Sequence, residues 1–255
     1  MNIACLQLSY PAGESPSARV DRVVRELERG PDADLVVLPE LWDVGYFAFD
    51  GYEAWGKPLD AGPLRRLAAV AQVRGLILVA GSVLERDGGA LHNTVSIVGP
   101  QGELLGAYRK RHLFAYASRE RELLSPGDAS VVVPTPLGRI GIATCFDLRF
   151  PEQFAEMREM GADLFVVPAA WPAARIGHWD VLTRARAIET QTPLAACNGV
   201  GDCSGVELGG SSRIVDARGE VRGPLSVDPG WTCAEIDPED AHAYRSEFPL
   251  RDPIG

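Results

Sequence analysis

The chain has no apolar run approaching the ~18 residues that a membrane-spanning helix needs. Its start, Met1-Asn2-Ile3-Ala4-Cys5-Leu6, carries neither the cationic stretch nor the apolar core of a secretion signal. A membrane partner is therefore not expected, and a cytoplasmic protein is. Positive charge is also scarce: 25 Lys and Arg stand against 35 Asp and Glu, for a net charge of −10. Such a field repels phosphate backbones, so nucleic acid is not expected as a partner. Cysteine is sparse and odd in number, with five residues (Cys5, Cys145, Cys197, Cys203, Cys233). No pair has the two-residue spacing of a zinc knuckle or redox motif, so neither a metal site nor a disulfide framework is expected. Cys197 and Cys203 have no histidine near them and read as small apolar residues. Nothing is biased enough to mark a linker, and with 46% apolar and 24% charged residues the chain reads as a single domain over 1–255.

What is present is an alternation of short apolar runs with amphipathic stretches, the pattern of strands feeding helices in a layered α/β protein. Ile3 to Leu8 reads as a strand, 16 to 29 as a helix with Val20, Val23, Val24 and Leu27 at helical spacing, and Leu35 to Leu38 as a buried strand. A helix over about 62 to 74 leads to Leu76–Leu84, and Asp87-Gly88-Gly89 turns that run into Thr94–Val98. Leu104–Tyr108 follows as a strand, then a charged loop over 109 to 128. Val131–Val133 and Ile140–Thr144 read as strands, and a helix over about 151 to 160 precedes Leu164–Val167. A helix over about 177 to 190 leads to a strand near 193 to 197, with further runs near 212 to 216 and 231 to 236. Periodicity alone does not decide between one sheet covered on both faces and two stacked sheets with helices outside.

Three segments put reactive groups where strands end. In Leu35-Val36-Val37-Leu38-Pro39-Glu40-Leu41-Trp42 a buried strand runs into a carboxylate in apolar company. Desolvation raises a carboxyl pKa, which suits Glu40 to proton transfer near neutral pH; a carboxylate satisfied by backbone N–H groups is the plainer alternative. Tyr108-Arg109-Lys110-Arg111-His112-Leu113-Phe114 places three cations and a histidine between aromatics, or else is a solvated basic loop. Ile140 to Glu152 is a strand that breaks at Cys145 into a polar turn, where a thiol is either inertly buried or exposed as a nucleophile beside backbone N–H groups. A carboxylate base, an ammonium and a thiol form a working set without metal or cofactor. A Cys–His pair using His112 or His178 is the competing chemistry.

The segments "LPELW", "YRKRHLF" and "CFDLRFPE", in that order, resemble the signature of the nitrilase-like carbon–nitrogen hydrolases. The likeness continues through "GSVLERDGGALHNTVSIVGPQGE", "LLSPGD", "GADLFVVPAAWP", "GHWDVLTRARAIETQTPLAACNGVG" and "GGSSRIVDARGE", nearly the whole chain. The resemblance implies an α/β fold, a four-layer αββα sandwich, assembled as homodimers through the helical layer. It gives Glu40 the role of base, Lys110 that of oxyanion stabiliser and Cys145 that of nucleophile, with no cofactor. It also marks Glu120, six residues before Pro126, as the support for Lys110, and Phe146 as a backbone N–H donor to the oxyanion. Trp171 is expected to line the pocket, with Phe114 and His112 as further substrate contacts. "CFDLRFPE", "GHWDVLTRARAIE" and "YRSEFPLRD" look most like the omega-amidase branch, which hydrolyses the terminal amide of 2-oxoglutaramate or 2-oxosuccinamate. Deaminated-glutathione amidases share much of the pattern. A substrate carboxylate remote from the amide calls for a cation, for which Arg175 is the candidate, with Arg149 and Arg111 read as structural or rim charges. A nitrile substrate, acyl transfer to an amine, and a silent binding subunit are the other readings, the last opposed by three intact reactive groups.

Overall fold

The computed structural model describes residues 1–250; the last two residues of the terminal segment "YRSEFPLRD" lie outside them. Its elements in chain order are β1 (Asn2–Gln7), α1 (Pro16–Glu28), β2 (Leu35–Val37), α2 (Tyr52–Trp55), α3 (Leu64–Arg74), β3 (Ile77–Asp87), β4 (Ala90–Val98) and β5 (Leu104–Arg109). The second half has α4 (Glu120–Leu123), β6 (Val131–Thr135), β7 (Gly138–Ile142), α5 (Pro151–Glu159), β8 (Leu164–Ala169), α6 (Ile176–Thr190), β9 (Leu194–Asn198) and the hairpin β10 (Val200–Cys203) and β11 (Val206–Gly209). It ends with β12 (Arg213–Val215), β13 (Val221–Arg222), β14 (Gly230–Glu235) and α7 (Pro238–Glu247).

Two six-stranded sheets result, in the orders β14-β1-β2-β3-β4-β5 and β13-β12-β9-β8-β7-β6. Each has three parallel strands, β1-β2-β3 and β7-β8-β9, flanked by antiparallel ones. Side chains alternate across a strand, and the alternation sorts the layers. Ile3, Cys5, Val37 and Val79 of the first sheet meet Ile140, Ile142, Val166 and Ala195 of the second in one buried cluster. Their neighbours Ala4, Leu6, Val36 and Leu78 point the other way, onto Val23 and Leu27 of α1 and Leu67 and Val70 of α3. On the opposite outer face Phe165, Val167 and Ala196 pack on Phe154 and Met157 of α5 and Trp179 and Ala187 of α6. The sandwich is thus αββα, and the ambiguity left by periodicity is resolved in favour of two stacked sheets.

The N-terminal signals are local. Ser15 caps α1 by accepting from the Ala18 N–H, and Pro16 occupies its first turn. No helix among the described residues is long and apolar enough to cross a membrane. The loop expected over 109 to 128 contains the single turn α4, which carries Glu120, and the stretch between β2 and α3 contains α2.

Candidate active site

Glu40 follows β2 by three residues, Lys110 follows β5 by one, and Cys145 follows β7 by three. All three therefore leave the sheets at strand ends, and the stacking of the sheets brings them together. The Glu40 arm is fixed from below. Gly81 of β3 sits at a register shift with φ +64°, and a Cβ there would collide with the Pro39 carbonyl. The next residue, Ser82, accepts the Leu41 N–H on its hydroxyl (2.9 Å), while the Trp42 indole donates to the Ala80 carbonyl (2.7 Å). Leu41 itself adopts φ +41°, a conformation unfavourable for a branched side chain that these contacts hold.

Lys110 and both glutamates are fully buried. The Lys110 ammonium donates to Glu40 Oε1 (2.7 Å) and to both oxygens of Glu120 (2.9 and 3.0 Å). Asn93 of β4 bridges the two carboxylates, donating to Glu40 Oε1 (2.8 Å) and Glu120 Oε1 (2.9 Å). Glu120 Oε2 also accepts from the Tyr46 hydroxyl (3.0 Å) and the Phe114 N–H (2.6 Å). Glu40 Oε2 accepts the Ala170 N–H (3.0 Å). Oε1 thus accepts from both Lys110 and Asn93, whereas Oε2 accepts from one N–H and keeps capacity for a further proton.

Burial pushes the Glu40 carboxyl above its ordinary value; the Lys110 charge opposes this and the Glu120 charge adds to it. Burial acts to lower the Lys110 value, but Glu120 and Glu40 outweigh it and hold the ammonium well above the usual lysine range. Burial raises the Cys145 thiol well above its normal range, the Glu40 charge raises it further, and Lys110 pulls it down. The resting state this favours is a neutral thiol in hydrogen-bonding contact with Glu40, next to a permanent cation. A thiol of that kind becomes nucleophilic only as its proton moves to the carboxylate.

Cys145 has φ +46° and opens a 3₁₀ turn, Cys145–Arg149, that runs into α5. The turn is tied to the Lys110 segment through Asp147, which is fully buried. Asp147 Oδ2 accepts from the Thr144 N–H (2.8 Å) and the Tyr108 hydroxyl (2.7 Å); Oδ1 accepts from the His112 N–H (3.1 Å) and lies 2.8 Å from His112 Nδ1. One carboxylate therefore holds both the residue before Cys145 and the residues flanking Lys110.

The thiol lies at an open cavity with about 350 Å³ of empty space, lined by Tyr46, Phe47, Phe114, Phe146, Arg149, Trp171, Pro172 and Arg175 as well as Cys145 and Ala170. Phe114, Phe146, Trp171 and Arg175, expected from the sequence, all reach it. His112 does not: its ring stacks on Phe150 (centroids 3.6 Å) and its Nδ1 is engaged by Asp147, so Asp147 turns it away from the cavity. His178 is exposed and its Nδ1 lies 3.2 Å from the Arg149 guanidinium. The charged groups acting most strongly on Cys145 are Glu40 and Lys110, which leaves the Cys–His pairing without a partner. Arg149, read as structural or a rim charge, lines the cavity over the Trp171 ring (5.0 Å), and Arg175 lies over Tyr116 (5.1 Å). Neither arginine forms an ion pair among the described residues. Arg111, by contrast, pairs with Glu156 (3.0 Å). Sequence reasoning missed Asn93, Tyr46 and Asp147; the one local signal was an asparagine inside a strand, where that residue is disfavoured.

A buried thiol, two carboxylates and an ammonium between the sheets of an αββα sandwich define the class of thiol-dependent hydrolases built on this fold. Residues 2–246 match the sequence profile described as carbon-nitrogen hydrolase, and the chain belongs to that family. It is 34% identical to the 2-oxoglutaramate amidase of Paenarthrobacter nicotinovorans, over 98% of this chain and 88% of that one. The crystal structure of Saccharomyces cerevisiae Nit3, a member of branch 10 of the nitrilase superfamily, superposes with a TM-score of 0.89 at 30% identity, covering 99% of this chain and 96% of the other. An amidase from Nesterenkonia sp. AN1, in a glutamate-to-glutamine variant with acrylamide added at its active-site cysteine, superposes with a TM-score of 0.83 at 26% identity, covering 97% of each chain.

Proposed function

We propose that the protein is an amidase that hydrolyses the terminal amide of a small 2-oxo dicarboxylic acid monoamide, of the 2-oxoglutaramate or 2-oxosuccinamate type, to the dicarboxylate and ammonia. The observation that carries this reading is the pair Arg149 and Arg175, two guanidiniums that among the described residues have no carboxylate partner, in an aromatic-walled cavity that Cys145 also lines. A carboxylate at the far end of the substrate supplies the missing counter-charge, and guanidinium groups bind it in bidentate fashion. The 2-oxoglutaramate amidase named above supports the same substrate class.

The chemistry follows from the geometry. Cys145 Sγ attacks the amide carbonyl as its proton passes to Glu40 Oε2. The oxyanion that forms is stabilised by the Lys110 ammonium and the Phe146 N–H. Collapse expels ammonia, which takes the proton from Glu40, and leaves a thioester. Glu40 then removes a proton from water, which attacks the thioester and frees the acid and the thiol. Glu120 holds Lys110 in place, and Lys110 together with Asn93 keeps Glu40 Oε1 out of the proton transfer. Ammonia measured from a panel of amides tests the assignment: 2-oxoglutaramate or 2-oxosuccinamate turns over fastest, and a preference for amides without a remote carboxylate overturns it.

The same reading extends to the assembly, a single hydrolase domain that pairs with a second copy through α6. Val181 and Ile188, seven residues apart on one face of that helix, are 63% and 45% exposed, as a helix-to-helix contact requires. All five cysteines are free, which fits a cytoplasmic setting.

A further inference from the structure

A second cavity, with about 770 Å³ of empty volume, lies on the other side of the segment that carries Glu40. Tyr46 and Phe47 of that segment line the Cys145 cavity, whereas Asp43 and Val44 line the second one. The two spaces are therefore separated by the turn Leu41–Gly45, which is closed by the Gly45 N–H donating to the Leu41 carbonyl (2.7 Å).

Asp43 is 7% exposed, and its Oδ1 is buried without a hydrogen-bond partner among the described residues. An unsatisfied buried carboxylate oxygen is costly, and a fold retains one where something else supplies the donor. Burial pushes the Asp43 carboxyl up to about 7, against the pull of the Val44 and Asp43 N–H groups and the Arg19 guanidinium. Arg19 is already committed to Glu14 and to the carbonyls of Trp42 and Asp43. Lys57 lines the same cavity. Its backbone N–H donates to the Leu84 carbonyl (3.3 Å), and the Leu84 N–H acts on the Asp43 carboxyl, so Leu84 of β3 ties the two residues to the same wall of the cavity. Among the described residues neither Asp43 nor Lys57 forms an ion pair. Trp55 supplies an aromatic wall, Ser17 adds a hydroxyl, and Arg66 at the rim is paired with Asp21.

We propose that this cavity is a second ligand site, separate from the one at Cys145, and that it takes a free α-amino acid with the ammonium group on Asp43 and the carboxylate on Lys57. An ammonium offers three donors and a full opposite charge, so it satisfies Oδ1 and holds the Asp43 carboxyl ionised; the Trp55 ring favours a cation beside it. A neutral ligand leaves the buried Asp43 carboxylate uncompensated, while Lys57, exposed at the cavity, favours a ligand that also bears a carboxylate. A simple anion lacks the donor that Oδ1 requires.

The test is calorimetric titration of enzyme alkylated at Cys145, so that the first cavity is blocked. L-Alanine, L-glutamate, L-glutamine and L-lysine are the probes, with methylamine and acetate as half-ligands, at a pH about one unit above the Asp43 value of about 7. The proposal expects one equivalent of at least one amino acid to bind, with affinity weakened about tenfold or more in Asp43→Asn. Lys57→Ala should weaken the amino acid and leave methylamine unchanged, and acetate should not bind. Absence of binding by every amino acid overturns the proposal, as does unchanged affinity in folded Asp43→Asn. Should that variant not fold, unchanged amino-acid affinity in Lys57→Ala overturns it instead.

Discussion

Replacing Asp147 by asparagine probes the joint between the Lys110 segment and the Cys145 turn without touching either reactive group. The carboxylate receives four donors, two on each oxygen. Asparagine keeps one carbonyl oxygen, so one pair of donors must face its amide nitrogen. If the carbonyl stays with His112, the Tyr108 hydroxyl can rotate away but the Thr144 N–H cannot. One buried backbone donor is then stranded, at about 1–3 kcal/mol, and the remaining bonds lose their charge assistance. The expected loss is about 2–4 kcal/mol, or a fall in Tm of roughly 5–15 °C for a chain of this size. Because Thr144 precedes the thiol, the turn that aims Cys145 also loosens, and a misplacement near 1 Å costs about a hundredfold in rate. Denaturant unfolding gives the first quantity and ammonia release the second, with the effect expected in kcat more than in KM. A variant that unfolds within about 0.5 kcal/mol of the parent and turns over at the parent rate would show that Asp147 is not the joint.

Four further outcomes follow from the site. Arg149→Ala and Arg175→Ala should each raise KM for a carboxylate-bearing amide by about tenfold or more while changing kcat little; equal effects on amides without a carboxylate would remove the assigned role. Asn93→Ala strips a donor from each of two buried carboxylates and should lower both stability and kcat, with about 2–5 kcal/mol lost to unfolding in the same denaturant assay. Because burial raises Glu40 above 4.5 and the ionised form is the base, kcat/KM should rise with pH through a midpoint above 4.5, and a midpoint at or below that value contradicts the assignment. Gly81→Ala, which forces a Cβ against Pro39, should depress activity by displacing Glu40; an active, equally stable variant argues that the arm is not held from beneath.

The strand and helix pattern was readable because each inner strand alternates or is continuously apolar and each covering helix carries a buried stripe, as Val23, Val24 and Leu27 do in α1. The β10–β11 hairpin and α7 left no such trace. The hairpin sequence Val200–Gly209 is polar and glycine-rich, and α7 buries only Ala241. Its Asp237 cap and Pro238 were local signals without a periodic stripe behind them. In the site, Glu40, Lys110 and Cys145 stood out because each ends an apolar run. Asn93 and Tyr46 act across 53 and 74 residues of sequence, on Glu40 and Glu120, and Asp147 acts across 39 and 35 residues, on Tyr108 and His112. Such partners are chosen by sheet stacking, which no local spacing encodes. The orientation of His112 was lost for the same reason, since Asp147 turns it from the cavity.

In the proposed reaction Cys145 carries the acyl group of the substrate between the two half-reactions. Acid-quenching the enzyme during turnover of 2-oxoglutaramate and mapping its peptides by mass tests this directly. The acyl adduct should appear on the peptide containing Cys145, with none on those containing Cys5, Cys197, Cys203 or Cys233, and Cys145→Ala should release no ammonia. Sustained ammonia release by that variant, with its fold intact, would contradict this role for Cys145.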